Sequence, residues 1–185
     1  MRNKKFSFLI FCLFFVFNLV GQDNVSSLVE KDFPASWQGD WAGELQIFNA
    51  KGLQQCLPMQ LIIQPIKDSE DYSFTIIYGV DVEAGTRSYL LKTINAEKGH
   101  YLIDEQNSIK IDAYLLGEKL VQRFEVMGNL LETFIEKRDD TLVWEIFSGK
   151  MKGEITGDTV LNGDTIPPVQ TFPMSVFQKC ILTRI

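Results

Sequence analysis

Of the side chains that ligate soft metals or carry acid–base chemistry near neutrality, the 185 residues hold very few: one histidine, His100, and three cysteines, Cys12, Cys56 and Cys180. No paired-histidine, Cys-x-x-Cys or Cys/His spacing occurs, so neither a zinc site nor a thiol redox motif is expected. Gly-x-Ser-x-Gly and a glycine-rich phosphate loop are also missing. His100 can be read as a ligand or a general base, but a lone histidine without a matched carboxylate or nucleophile is ordinarily a strand residue. The carboxylate pairs Asp104 with Glu105 and Asp139 with Asp140 fall at turn signals, where acidic side chains usually just meet water. Gly157-Asp158 and Gly163-Asp164 fit no EF-hand spacing. The expectation is a protein with no catalytic residue, no metal and no cofactor.

Long apolar runs are scarce as well. Arg2, Lys4 and Lys5 precede an apolar stretch from Phe6 to Val20 that ends at Gly21. That order is the n-region, h-region and cleavage site of a secretory signal peptide. The stretch is shorter than the roughly 20 residues a membrane-crossing helix needs, and no basic cluster follows to stop transfer. Cys12 lies inside the run behind large residues, which disfavours a lipoprotein signal. Residues 1–21 are therefore expected to be removed, 22–36 to form an N-terminal segment and 37–185 one domain, exported to the periplasm or beyond. Loss of Arg2, Lys4 and Lys5 takes the net charge from −6 to −9. An acidic chain without a basic stripe argues against nucleic acid and anionic membranes as partners, and solubility is the plain reading of that charge.

From Trp41 onward the apolar period is two. Tyr72, Phe74, Ile76 and Tyr78 alternate with Ser73, Thr75 and Ile77, and Leu120, Gln122, Phe124 and Val126 share one face of a later run. We expect ten strands, at 40–48, 57–66, 72–79, 87–95, 100–104, 108–116, 119–127, 130–137, 141–148 and 174–184, with a weaker one near Met151 to Ile155. Connections this short make successive strands antiparallel neighbours, and a meander of this length removes its edges by closing. The fold class is thus all-β, an up-and-down barrel. Asn24 to Ala35, with Ser26 or Ser27 as cap, suggests a short helix across one mouth. Gly157 to Pro173 reads as a long loop, because Pro167, Pro168 and Pro173 cannot pair regularly. Cys56 and Cys180, left alone in an oxidising compartment, are expected to form a disulfide, worth about 3 to 5 kcal/mol in the chain-entropy model. Two buried free thiols are the alternative.

The most specific local feature is Ser36-Trp37-Gln38-Gly39-Asp40-Trp41-Ala42-Gly43 at the entry to the first strand. It resembles the lipocalin-like, or calycin, barrels, whose first strand opens with Gly-x-Trp. The resemblance rests on Gly39, Trp41 and Arg184 as motif, and it implies that Arg184, from the last strand, lies over Trp41 as a cation–π lid. Fatty-acid-binding proteins share the barrel but insert a helix pair after the first strand, for which Asn49 to Gln55 is too short. Nitrobindin-like haem barrels also open with Gly-x-Trp-x-Gly, matched by Gly39 to Gly43, yet ligate iron through a histidine late in the chain, where this sequence has none. The tripeptides Asp140-Thr141-Leu142, Asp158-Thr159-Val160 and Asp164-Thr165-Ile166 resemble the O-glycosylation acceptor pattern of exported Bacteroidetes proteins.

The resemblance implies a cavity that holds a small hydrophobic or amphipathic ligand between aromatic walls, with one or two buried cations for an acidic head group. Trp41, Tyr78, Tyr89 and Trp144 are the candidate aromatics, and Arg87 or Arg123 the candidate cation. The alternative is a barrel filled by its own side chains, acting through its surface as an envelope interaction or structural protein.

Overall fold

The computed structural model describes residues 32–185. Ten antiparallel strands close into a barrel: β1 (Gly39–Asn49), β2 (Gly52–Pro65), β3 (Tyr72–Tyr78), β4 (Thr86–Asn95), β5 (His100–Asp104), β6 (Lys110–Leu116), β7 (Lys119–Val126), β8 (Asn129–Arg138), β9 (Thr141–Lys150) and, after four short strands, β14 (Val176–Arg184). Neighbours follow chain order from β1 to β9, and β14 inserts between β9 and β1 to complete the ring. Tight turns set the meander. Val126 pairs with Asn129 across a two-residue turn in which Met127 and Gly128 both have positive φ, 51° and 77°, the hand that matches strand twist.

Alternation builds the wall. Met59, Leu61 and Ile63 of β2 and Phe74 and Ile76 of β3 are buried facing in. The outer face carries ion pairs such as Lys92 with Asp104 at 3.3 Å and Lys179 with Glu145 at 3.5 Å. Among the described residues, no helix is long and apolar enough to cross a membrane.

One end of the barrel is plugged. Phe33 packs edge-on against both Trp37 and Tyr101, with ring centroids 4.8 and 4.7 Å apart. Trp41 is fully buried above them and donates its indole N–H to the Trp37 carbonyl at 3.0 Å. Register places Arg184 beside Trp41, its guanidinium carbon lies 4.4 Å from the indole centroid, and Nη1 donates to the Gln38 carbonyl at 2.6 Å. Gly39 makes that lid possible: a Cβ there would sit 2.6 Å from Arg184 Nη1, on a backbone with φ of +147°.

Several expectations need correction. Strand β2 begins at Gly52, five residues earlier than expected, because Asn49 Oδ1 accepts from the Lys51 N–H at 2.8 Å and turns the chain straight into a long hairpin. The stretch expected as a loop holds two nested hairpins: β10 (Glu154–Thr156) pairs with β13 (Val169–Thr171), and β11 (Thr159–Leu161) pairs with β12 (Asp164–Ile166). Asn162-Gly163, both at positive φ, makes the tip, while Pro167, Pro168 and Pro173 fall between or after the strands and obstruct nothing. The weak strand near Met151 to Ile155 is β10 of this arm. The expected helix at Asn24 to Ala35 lies almost wholly outside the described residues, as does the signal peptide; what is described is one 3-10 turn, Ala35–Trp37.

The disulfide is not formed: Cys56 and Cys180 are both free, the first exposed and the second buried. The reason is parity. Cys56 is paired with Gln46, which is paired with Lys179 on the outer face, whereas Cys180 pairs with inward-facing Trp144. The two sulfurs stand on opposite sides of the wall.

Candidate functional site

Burial changes along the barrel axis. Near the Trp41 end the inward side chains Leu61, Ile63, Leu91, Leu120, Leu142 and Leu182 are fully buried. Towards the opposite end, inward positions open to half-buried: Tyr78 on β3, Tyr89 on β4, Gln122 and Phe124 on β7, Ile146 on β9 and Gln178 on β14. That end is surrounded by the β1–β2 hairpin, the short helix α1 (Val82–Gly85), the β5–β6 and β7–β8 turns and the root of the nested-hairpin arm. The inward side chains are thus more fully buried near the Trp41 base than in the opposite, upper half.

Trp144 stands near the boundary between the two. It pairs with Ile135 and Cys180, both inward, and its ring lies 6.3 Å from that of Phe74. The side chain is 4% exposed. Its Nε1–H is buried with no hydrogen-bond partner among the described residues, a state shared only by Ser36 Oγ.

The surroundings favour neutral groups. Burial raises the Tyr78 phenol to about 12, with nearby Tyr89 adding to the rise and Arg87 opposing it. Burial likewise raises the Cys180 thiol to about 12, with a smaller contribution from Glu44. Tyr89 is raised by its own burial and then by Glu105.

The candidate residues named from sequence fall in three places. Tyr78, Tyr89 and Trp144 converge on the upper half of the interior. Trp41 belongs to the base and lies away from the open end. Arg87 has inward parity but sits exposed at the rim, its Nη1 donating to the Ala84 and Thr86 carbonyls at 2.9 and 2.8 Å. Arg123 is corrected outright: it faces outward between inward Gln122 and Phe124 and pairs with Glu132 at 3.3 Å. It cannot orient a head group inside the barrel. Gln122, Thr133 and Gln178 are inward polar residues that sequence reasoning did not propose for the site, although Gln122 stands on the face of Leu120, Phe124 and Val126 read from the sequence.

His100 lies on the outer wall. Its Nε2 is 2.7 Å from Asp112 Oδ1 and its ring stacks on Tyr114 at 4.9 Å. The paired carboxylate sits with it on the barrel exterior, away from the interior cluster, so the notion of a histidine base inside a cleft falls. Among the described residues no group of three His, Cys, Asp or Glu is placed to hold a metal ion.

The outer face also carries an aromatic row. Phe134, Phe147, Phe177 and Phe48 follow one another across β8, β9, β14 and β1, with centroids 6.0, 4.7 and 5.8 Å apart. Phe48, Phe147 and Phe177, with Met174 at the arm's root, line a shallow groove.

No family model matches the chain, and no curated protein matches it in sequence. Among solved structures, it is similar to a protein of unknown function from the DUF3598 family of Nostoc punctiforme, with a TM-score of 0.55 at 15% identity over 80% of this chain. The match takes in 47% of that protein, so this chain spans about half of its length. At this identity the likeness is one of fold.

Proposed function

We propose that the protein is an exported binding barrel of calycin type that holds a small hydrophobic or amphipathic molecule in the upper half of its interior, without catalysing a reaction. The observation that carries this reading is the gradient of burial along the axis: a plugged, fully buried base at Trp41 and a half-buried, aromatic interior at Tyr78, Tyr89 and Trp144. Ligand sites in proteins are characteristically mostly apolar and furnished with few polar groups, and the inward residues of this half have that composition.

Native mass spectrometry of the protein purified from its own source tests the reading. The expected spectrum carries an added mass that denaturation removes. A bare chain that also fails to bind a fluorescent lipid refutes it. The second reading, a filled barrel acting through its surface in the envelope, is favoured by the outer row of Phe48, Phe177, Phe147 and Phe134. It predicts that bare chain.

A further inference from the structure

A buried indole N–H ordinarily finds an acceptor. Trp41 obeys this rule in the base, donating to the Trp37 carbonyl, and Trp144 breaks it in the interior. Trp144 lies on a strand paired on both sides, its side chain is 4% exposed and its ring packs 6.3 Å from that of Phe74, so the unsatisfied donor does not belong to a loose side chain. A donor held without a partner in a largely apolar interior is a place where an acceptor from outside the chain gains a hydrogen bond that the protein itself does not offer.

Charge narrows the class of acceptor. Between the strand ends every residue of inward register is uncharged, and formal charge of that register occurs only at the ends, with Arg87 and Lys150 at the open rim and Lys137 and Arg184 at the base. Arg87 already gives its Nη1 to two backbone carbonyls. An ionised carboxylate carried down to Trp144 would lose its water beyond the exposed rim where Arg87 lies, which is far costlier than burying a neutral carbonyl. The protonated Tyr78 and Cys180 nearby fit the same neutral interior.

We infer that the ligand is a neutral amphipathic molecule whose carbonyl-type oxygen, from a ketone, ester or amide, accepts the Trp144 Nε1–H while its apolar body packs against Phe74 and Ile146. This inference rests on the binding-barrel reading and adds the identity of the polar anchor and the neutrality of the head group.

Three probes of equal chain length separate the possibilities: 2-decanone, decanoate and decane. Each is titrated into ¹⁵N-labelled protein while the indole N–H signals of Trp37, Trp41 and Trp144 are followed, with affinity measured by calorimetry. The expected result is that 2-decanone binds tightest, that the Trp144 indole proton moves downfield with it, and that Trp41 stays still. Trp144→Phe should then weaken 2-decanone about tenfold, the effect of losing one hydrogen bond and stranding its acceptor, and leave decane within about twofold. Decanoate binding tightest, or 2-decanone binding without movement of the Trp144 signal, overturns the anchor while leaving the binding barrel standing. Failure of all three probes to bind overturns both. The wild-type spectra decide the question even if Trp144→Phe fails to fold.

Discussion

Replacing Gly39 with alanine tests how the barrel is shut. The new methyl group would meet Arg184 Nη1 at 2.6 Å and Cζ at 3.1 Å, on a backbone whose φ of +147° side chains rarely adopt. Holding a non-glycine residue there costs about 1–3 kcal/mol. The guanidinium can swing away, but it then leaves the Trp41 face, an exposed cation–π contact worth about 0.5–1 kcal/mol, and the Gln38 carbonyl, worth about 0.5–1.5 kcal/mol. Gly39→Ala should therefore destabilise by about 2–5 kcal/mol, or about 5 to 20 °C in Tm for a domain of this size. Arg184→Ala alone should cost about 1–2 kcal/mol. In the double variant the lid is lost only once, so its cost should fall short of the sum by about 1–2 kcal/mol. Urea denaturation followed by circular dichroism on all four proteins completes the cycle. Costs that add to within about 0.5 kcal/mol, the behaviour of independent sites, would refute the idea that Gly39 exists to seat Arg184.

Other consequences follow from the same structure. In a chain lacking residues 1–21, and with them Cys12, a thiol reagent should label Cys56 in the native protein and Cys180 only on unfolding, because Cys180 is buried and its thiol is held protonated up to about 12; one equivalent native and two denatured is the expected count, and none in either state would restore the disulfide. Tyr78 is raised above its ordinary value, so the folded state holds that proton more tightly, its contribution is complete below pH 10 and it is lost as pH rises from 10 towards 12. Up to about 2–3 kcal/mol is at stake over that window, since each tenfold gain in proton affinity is worth about 1.4 kcal/mol, and Tyr78→Phe should flatten the alkaline limb of a stability–pH profile. Asp104 behaves in the opposite sense: the Gln106 N–H and then Lys92 hold its carboxyl low, so stability falls as pH drops through the carboxylate range, and Asp104→Asn should blunt that loss in acid denaturation. Excising residues 154–171 and joining the ends with a short turn should leave Tm within a few degrees, because β10 to β13 pair only among themselves and no barrel strand depends on them; a collapse of the barrel would show that the arm is structural.

Much of the architecture was legible because it depends on local alternation and turn chemistry. The faces carrying Tyr72, Phe74, Ile76 and Tyr78, or Leu120, Gln122 and Phe124, are set within single strands, and ten such strands with short connections leave few topologies open. Arg123 was legible too, since it stands between two members of an inward face. The disulfide was not. Whether Cys56 and Cys180 meet depends on the relative register of β2, β1 and β14, the last of which lies far from the other two in sequence, and on a bulge at Ile47/Phe48. Nor was the arm: three prolines masked short strands whose real signal was Asn162-Gly163 flanked by Thr-Val-Leu and Asp-Thr-Ile.

The candidate site was half readable for a related reason. Aromatic residues on inward faces can be found by counting, which is how Tyr78, Tyr89 and Trp144 come together. Whether a polar atom among them is satisfied is a property of the packed interior, and nothing in the neighbours of Trp144 along the chain marks its N–H as unpartnered. Trp41 and Trp144 differ in this respect. Trp41 is pinned by the Trp37 carbonyl below and Arg184 above, so its indole has spent its polar capacity on closing the barrel. Trp144, further along the axis and 4% exposed, has the same chemistry and no such use for it. A barrel whose interior served only as core would gain by replacing that indole with phenylalanine, since the orphan donor costs about 1–3 kcal/mol. Trp144→Phe in ligand-free protein should accordingly raise Tm, while the same change weakens binding of 2-decanone. Stability gained and affinity lost in one variant is the signature of a residue kept for a ligand. A variant that is destabilised and binds unchanged would mean that Trp144 merely fills space.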